Sequence, residues 1–352
     1  MNDLFDEGGD LNVRRTGPDE FRMDIKIPTD EHGLVGRECP SETCSPGYYK
    51  VKLGTGITEG QTEAFCPYCR HSGEPGDFLT KAQREYATDI VAREAQKGLD
   101  RIVTNALGLG PSGRKKLGSG MFSIEMTYKP GSLPVVPPPI EEELRRDLVC
   151  PKCGLQHAVF GIATWCPDCG ADIFLTHIEL EFGAIRKMLS VDESRRAELG
   201  GRIAARDTEN ALEDVVSIFE AVLKVITRRH LLRSGLSPER VTELFEKRIR
   251  NHYQNPSSAE ETFQEQVGVP LFEGLPEGDR SFLSSAFEKR HPITHNLGVV
   301  DRKYLERAMS GDLEGREVRL TPNEVERAAS VAESALASAY RRVFANPGAQ
   351  SP

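Results

Sequence analysis

The chain reads as a multidomain, mainly α protein: two small β modules built on cysteine pairs, followed by an all-α helical bundle. Three observations predict this. All eight cysteines form four close pairs, Cys39/Cys44, Cys66/Cys69, Cys150/Cys153 and Cys166/Cys169, in the first half of the chain. Between Ala211 and Arg229, the residues Leu212, Val215, Val216, Phe219, Val222, Leu223 and Ile226 recur at helical spacing. Helix-start signals then follow one another: Ser237-Pro238 and Thr321-Pro322 each place a capping hydroxyl before a proline at the first helical position.

Composition narrows the class. A length of 352 residues predicts two or three domains. Hydrophobic content of 38% with a mean hydropathy of −0.43 fits packed cores joined by polar segments. No stretch approaches the roughly 18 uninterrupted apolar residues of a membrane span, so no membrane partner is expected. The start, Met1 to Glu7, is acidic and lacks the apolar region of a signal peptide, which predicts a cytoplasmic location. A net charge of −9 argues against a protein that coats duplexes, whose affinity comes from neutralising phosphates. A local basic groove remains compatible with it.

The expected organisation runs in order. Residues 1–20 are acidic and read as a disordered tail. Residues 21–130 form the first cysteine module with an added helix and strand. In it, Phe21 to Pro28 alternates as a strand would, Thr80-Lys81-Ala82-Gln83 is a capping box, and the helix it opens carries Tyr86, Ile90, Val91, Leu99, Ile102 and Val103. Gly108 to Gly113 reads as a flexible loop and Met121 to Tyr128 as a strand. Five prolines between Pro130 and Pro139 mark a stiff linker at 131–139. The second cysteine module occupies 140–176, the helical domain 177–345, and a frayed tail 346–352.

The cysteines read as metal ligands. Cys150-Pro-Lys-Cys153-Gly154 and Cys166-Pro-Asp-Cys169-Gly170 are two knuckles, each aiming two thiolates at one ion from a tight turn. Cys39 and Cys44, separated by four residues, and Cys66-Pro-Tyr-Cys69 supply a second, looser set. In a large chain without a secretory signal such pairs point to metal rather than disulfides. Two structural zinc ions per chain are expected, with iron as the alternative for the same shell. Four sulfurs close the coordination sphere, so no catalytic metal is expected. His71 and His157, near the knuckles, read as bystanders.

Near the end of the helical half lies Arg290-His291-Pro292-Ile293-Thr294-His295-Asn296, followed by Leu-Gly-Val-Val-Asp301. On an unbroken helix, residues five apart point about 140° from each other. Pro292 is therefore expected to push His291 out of the helical region and break the backbone, bringing Arg290 and His295 to one pocket. A His that titrates near neutral pH can take the proton of a ribose 2′-hydroxyl, and an Arg can stabilise the charged phosphorane. The stretch resembles the signature of HEPN domains, a helical family rich in ribonucleases of bacterial defence and toxin systems. By that resemblance the bundle is HEPN-like and the cysteine modules are zinc ribbons attached to it. The resemblance implies a homodimer whose composite site carries Arg290 and His295, with Asn296 orienting the His or the phosphate. It implies metal-independent cleavage of an RNA substrate to a 2′,3′-cyclic phosphate, and a restraining regulatory protein or antitoxin. An acidic residue on an early domain helix, Glu213 or Asp214, would complete it. The alternative is a non-catalytic adaptor that binds RNA or protein.

Two further groups are weaker. His291, and Arg114-Lys115-Lys116 on the glycine loop, are candidates for substrate contact. Arg228, Arg229, His230 and Arg233 suit the C-terminal dipole of their helix. Gly118-Ser119-Gly120 lacks the lysine pattern of a phosphate loop, and no Ser-His-Asp signature is present.

Overall fold

The computed structural model describes residues 4–18, 20–109, 113–117, 124–129, 136–138, 146–308 and 311–344. Small antiparallel sheets occupy the N-terminal part and helices the C-terminal part. The chain divides into two compact units: Met1–Phe160 with Cys166–Gly170, and Gly161–Trp165 with Ala171–Pro352.

The first unit contains β1 (Arg14–Arg15), β2 (Phe21–Arg22), β3 (Leu34–Glu38), β4 (Tyr48–Lys52), β5 (Ala64–Phe65), β6 (Ser72–Gly73), α1 (Lys81–Ala106), β7 (Arg114–Leu117), β8 (Ile124–Thr127), β9 (Arg146–Val149) and β10 (Gln156–Val159). Its central feature corrects the expectation of two separate cysteine modules. One antiparallel sheet, ordered β3-β4-β10-β9, contains the hairpin of each module. The join is the β4–β10 ladder, which sets Val51 opposite His157 and Tyr49 opposite Val159. Tyr68 reinforces it: its hydroxyl donates to Tyr48 O at 2.8 Å and accepts from Phe160 N at 3.1 Å. The compact units therefore do not part at 131–139, a segment of which only 136–138 is described.

Three local expectations also change. Residues 4–18 are packed rather than disordered. β1 pairs with β2, Phe5 meets Phe21 edge-on at 5.2 Å, and Leu4 lies on Gly98 so closely that a Cβ there would sit 1.7 Å from its carbonyl oxygen. The strand expected over Phe21 to Pro28 shrinks to two residues. Its partner among the described residues, β1, ends at Arg15, where Thr16 N donates back to Glu20 O at 2.9 Å. Arg114-Lys115-Lys116 lies not on a loop but on β7, paired with β8. The capping box at α1 forms as the sequence predicts: Gln83 N donates to Thr80 Oγ1 and Thr80 N to Gln83 Oε1, both at 3.1 Å.

The second unit contains α2 (Phe174–Leu189), α3 (Asp192–Leu199), α4 (Gly201–Arg233), α5 (Pro238–Leu244), α6 (Pro256–Val267), α7 (Glu277–Glu288), α8 (Arg290–His295), α9 (Arg302–Ala308) and α10 (Pro322–Phe344). α4 is its axis: all seven apolar positions read from the sequence are buried. α2, α6, α7 and α10 bury their own stripes in the same core. The expected caps are present, with Ser237 Oγ accepting from Arg240 N and Thr321 Oγ1 from Glu324 N, both at 3.3 Å. Arg229 does more than favour the helix dipole. Its guanidinium lies between the rings of Trp165 and Phe344, at 4.3 and 4.1 Å, and donates to Asp172 Oδ2 at 3.0 Å.

At the centre of this core Phe219 is fully buried, edge-on to Phe287 at 5.4 Å and stacked near Phe272 at 6.4 Å. Phe219→Ala is expected to cost about 3–5 kcal/mol. The midpoint of urea unfolding, followed by helical circular dichroism, checks this.

Candidate metal centres and active site

Both cysteine sets close into clusters within the first unit. Cys39, Cys44, Cys66 and Cys69 have all their sulfurs within 4.8 Å of one another, and so do Cys150, Cys153, Cys166 and Cys169. The sulfurs lie 3.6 Å apart in Cys39–Cys69 and Cys44–Cys66, 3.8 Å in Cys150–Cys169 and 3.6 Å in Cys153–Cys166. A disulfide would need a sulfur separation of about 2.05 Å. Tetrahedral metal–sulfur bonds of about 2.3 Å put neighbouring sulfurs about 3.8 Å apart. The geometry therefore fits two metal ions with four-thiolate shells.

Backbone turns explain how the sulfurs converge. The N–H after each Cys-x-x-Cys knuckle donates to the carbonyl of its first cysteine: Arg70 to Cys66 at 3.1 Å, Gly154 to Cys150 at 2.9 Å and Gly170 to Cys166 at 3.0 Å. All three residues have positive φ, 65°, 77° and 61°. Glycine adopts this conformation freely, and Arg70 does so against the steric demand of its Cβ. The two clusters also touch. Phe65 N donates to Pro167 O at 2.8 Å, and the Phe65 ring lies on Gly170, where a Cβ would come within 3.0 Å. Burial pushes the Cys153 and Cys166 thiols up. A bound cation reverses that tendency by stabilising thiolates, so metal uptake releases protons.

The candidate catalytic residues gather in the second unit, with one correction to the route. His291 is helical, and no break separates Arg290 from His295. The discontinuity falls upstream, at Lys289 between α7 and α8. Pro292 lacks the N–H that would bond Glu288 O, and its ring crowds that carbonyl, so the break appears about one turn earlier. Within α8 the long Arg side chain spans the angular gap. Arg290, His291 and His295 line one open cavity of about 270 Å³ together with Gln254, Asn255 and Arg307.

Each of these groups has defined partners. Arg290 Nη1 donates to Gln254 Oε1 at 3.1 Å, and its Nε lies 3.6 Å from Glu213 Oε2. Glu213 also accepts from Thr294 Oγ1. The His291 and His295 rings lie 5.2 Å apart, and His291 Nε2 is 4.0 Å from Asp301 Oδ2. Burial holds the His291 pKa below its ordinary value. Lys303, His295 and Arg307 act in the same direction, and Asp301 opposes them. Asn296 stands apart from the cavity lining. Its Nδ2 donates to Val299 O at 2.7 Å and its N–H to Pro292 O at 2.9 Å, so it closes the C-terminus of α8.

Of the two acidic candidates on α4, Glu213 is the one that reaches Arg290. Arg114, Lys115 and Lys116 belong to the other compact unit, where Lys115 Nζ donates to Leu107 O at 3.2 Å. His71 and His157 fall outside both four-sulfur clusters. Gln254 and Arg307 carry no local motif, and only tertiary packing brings them to the cavity. No helix among the described residues is long and apolar enough to cross a membrane. No family model, curated protein or solved structure matches the chain.

Two outcomes are expected at the metal centres. Elemental analysis of the purified chain gives two metal ions, and the ratio falls as pH is lowered, because protons compete for the thiolates. A constant ratio across the acid range would contradict four-thiolate binding. Arg70→Gly relieves the left-handed strain and raises stability by roughly 0.5–1 kcal/mol, seen as a higher unfolding midpoint of the metal-loaded protein.

Proposed function

We propose that this protein is a metal-independent endoribonuclease of HEPN type, with zinc in both four-cysteine clusters as structural ions. The observation that carries the reading is the convergence of Arg290, His291 and His295 on one solvent-open cavity. His295 takes the proton of a ribose 2′-hydroxyl. The 2′-oxygen attacks the adjacent phosphorus, the 5′-oxygen leaves with a proton from an imidazole or water, and a 2′,3′-cyclic phosphate remains. Arg290 stabilises the negative charge that accumulates on the phosphoryl oxygens. His291, whose pKa burial lowers, is placed to exchange protons beside His295. Both four-sulfur shells are closed, which assigns them a role in holding the first unit together.

The same reading implies a homodimer formed through the helical unit, a cytoplasmic setting, and a restraining protein partner in a defence or toxin system. Asn296 then acts at a distance, by fixing the end of the helix that carries His295. A second reading, a zinc-ribbon adaptor without catalysis, has one observation in its favour. Arg290 is already engaged by Glu213 and Gln254, and its Nε is buried without a hydrogen bond.

The test is cleavage of several RNAs in excess chelator by wild type, His295→Ala and Arg290→Ala. Metal content and circular dichroism are measured in parallel. Loss of a general acid–base group predicts a fall of about 10²–10⁴-fold in rate, with cyclic phosphate ends in the wild-type product. Equal cleavage by wild type and His295→Ala would overturn the assignment, and an intact dimer that cleaves nothing would favour the adaptor.

A further inference from the structure

The first unit holds a second cavity that the ribonuclease reading does not use. β3 and β4 pair so that Arg37 faces Tyr49 and Val35 faces Val51, which places these side chains on one face of the sheet. Over that face the segment following β4 encloses a cavity of about 250 Å³. Its apolar lining includes Val51, Ile57, Phe78 and Leu155, and the charged Arg37 and Asp168 line the same space.

Neither charged group is satisfied by a counter-ion among the described residues. The described bond of Arg37 is one donation to the carbonyl of Gly36 at 3.0 Å, which leaves most of its five N–H donors without a protein acceptor. Asp168 is more than nine-tenths buried, and its described partner is the backbone N–H of Ile57. The contact is held by Gly56, with φ +76°, whose Cβ would strike the carboxylate at 2.2 Å. The two are not paired with each other among the described residues. The half-exposed guanidinium has donors left for a further acceptor, and the buried carboxyl has one described backbone donor for its two oxygens. Arg37 calls for an anion with two oxygens in one plane. Asp168 calls for a hydrogen-bond donor, and the apolar walls between them call for a flat, weakly polar body.

We propose that this cavity is a binding site for a nucleoside monophosphate, with the phosphate at Arg37 and the donor edge of the base at Asp168. The site lies wholly within the first unit and does not depend on the chemistry proposed for Arg290 and His295. A pocket of this volume holds a single nucleotide and excludes a polynucleotide chain. The phosphate end supplies affinity through charge-assisted bonds, and the carboxylate end selects bases that present amino or imino donors.

The experiment is isothermal titration of the full-length, metal-loaded chain with each of the four ribonucleoside 5′-monophosphates and with orthophosphate alone. At least one nucleotide is expected to bind one per chain and more tightly than orthophosphate. Arg37→Gln and Asp168→Asn are each expected to weaken it by roughly tenfold or more. Because Asp168 lies between two metal ligands, metal content is measured for every variant. Arg37→Lys keeps the charge, loses the planar fork, and serves as the variant least able to disturb folding. His295→Ala, altered in the other cavity, is expected to bind the nucleotide as the wild type does. No binding of any of the four at millimolar concentration would overturn the proposal. So would binding matched by orthophosphate, unchanged in both Arg37 variants, or lost in His295→Ala.

Discussion

Two four-sulfur clusters that a metal ion could close are the constraint on which the first unit is built, because its regular structure is slight. Its strands run two to five residues and its sheets have two or four strands. Its long helix α1 fully buries only Gln83 and Gly98. A core of that size leaves little surplus over the entropy of ordering the chain. A four-thiolate metal site contributes on the order of 10 kcal/mol of folding free energy, because the unfolded chain offers no preformed shell. The two sites also share a wall. Phe65, beside Cys66, packs on Gly170, beside Cys169, so each shell fixes the wall of the other. The β4–β10 ladder then joins hairpins whose sequences lie about a hundred residues apart.

The second unit is stabilised differently. Its core is a continuous set of buried apolar side chains from α2, α4, α6, α7 and α10, with Phe219 and Tyr253 inside it. Some polar groups buried there pair with each other, as where Thr227 and Tyr253 share a hydrogen bond of 2.7 Å between their hydroxyls. That rigidity matters for the cavity at Arg290. α8 has only six residues and is held by packing, with Pro292 and Ile293 buried. A short helix fixed in this way presents His291 and His295 from a stable surface, and Asn296 stops it from fraying.

How much of this is legible in the sequence follows the range of the interactions involved. The capping box at Thr80, the Ser237 cap and the period of α4 depend on neighbours within a turn or two, and the sequence predicts each of them correctly. The ligand sets are legible because spacing alone constrains a Cys-x-x-Cys turn. The joining of the two modules through Val51 and His157 is not, since nothing in either strand names its partner. The packed N-terminal segment is hidden for the same reason: its anchor is Gly98, far along the chain. Arg114-Lys115-Lys116 resembles a loop because its charge is a stronger local signal than its pairing with β8. At Pro292 the rule that proline disrupts a helix holds, and only its point of action differs. A proline disrupts the carbonyl four residues before it, so the discontinuity falls near Glu288 and leaves Arg290 to His295 in one helix.

The same geometry bears on whether Arg290 is free to act. Its partner Glu213 is about as exposed as Arg290 itself, with one third of each side chain reaching solvent. A pair so placed is worth about 0–1 kcal/mol. A phosphodiester approaching the cavity offers a full negative charge and two planar acceptor oxygens, which match the guanidinium fork better than a single carboxylate contact at 3.6 Å. Glu213 need not leave for this to happen. It also holds Thr294, one turn along α8, and so it would steady the helix in the proposed reaction while the terminal nitrogens of Arg290 meet the phosphodiester. The ion pair that favours the adaptor reading is therefore no bar to the ribonuclease proposed above, because a pair this exposed is too weak to hold the guanidinium back from a phosphodiester.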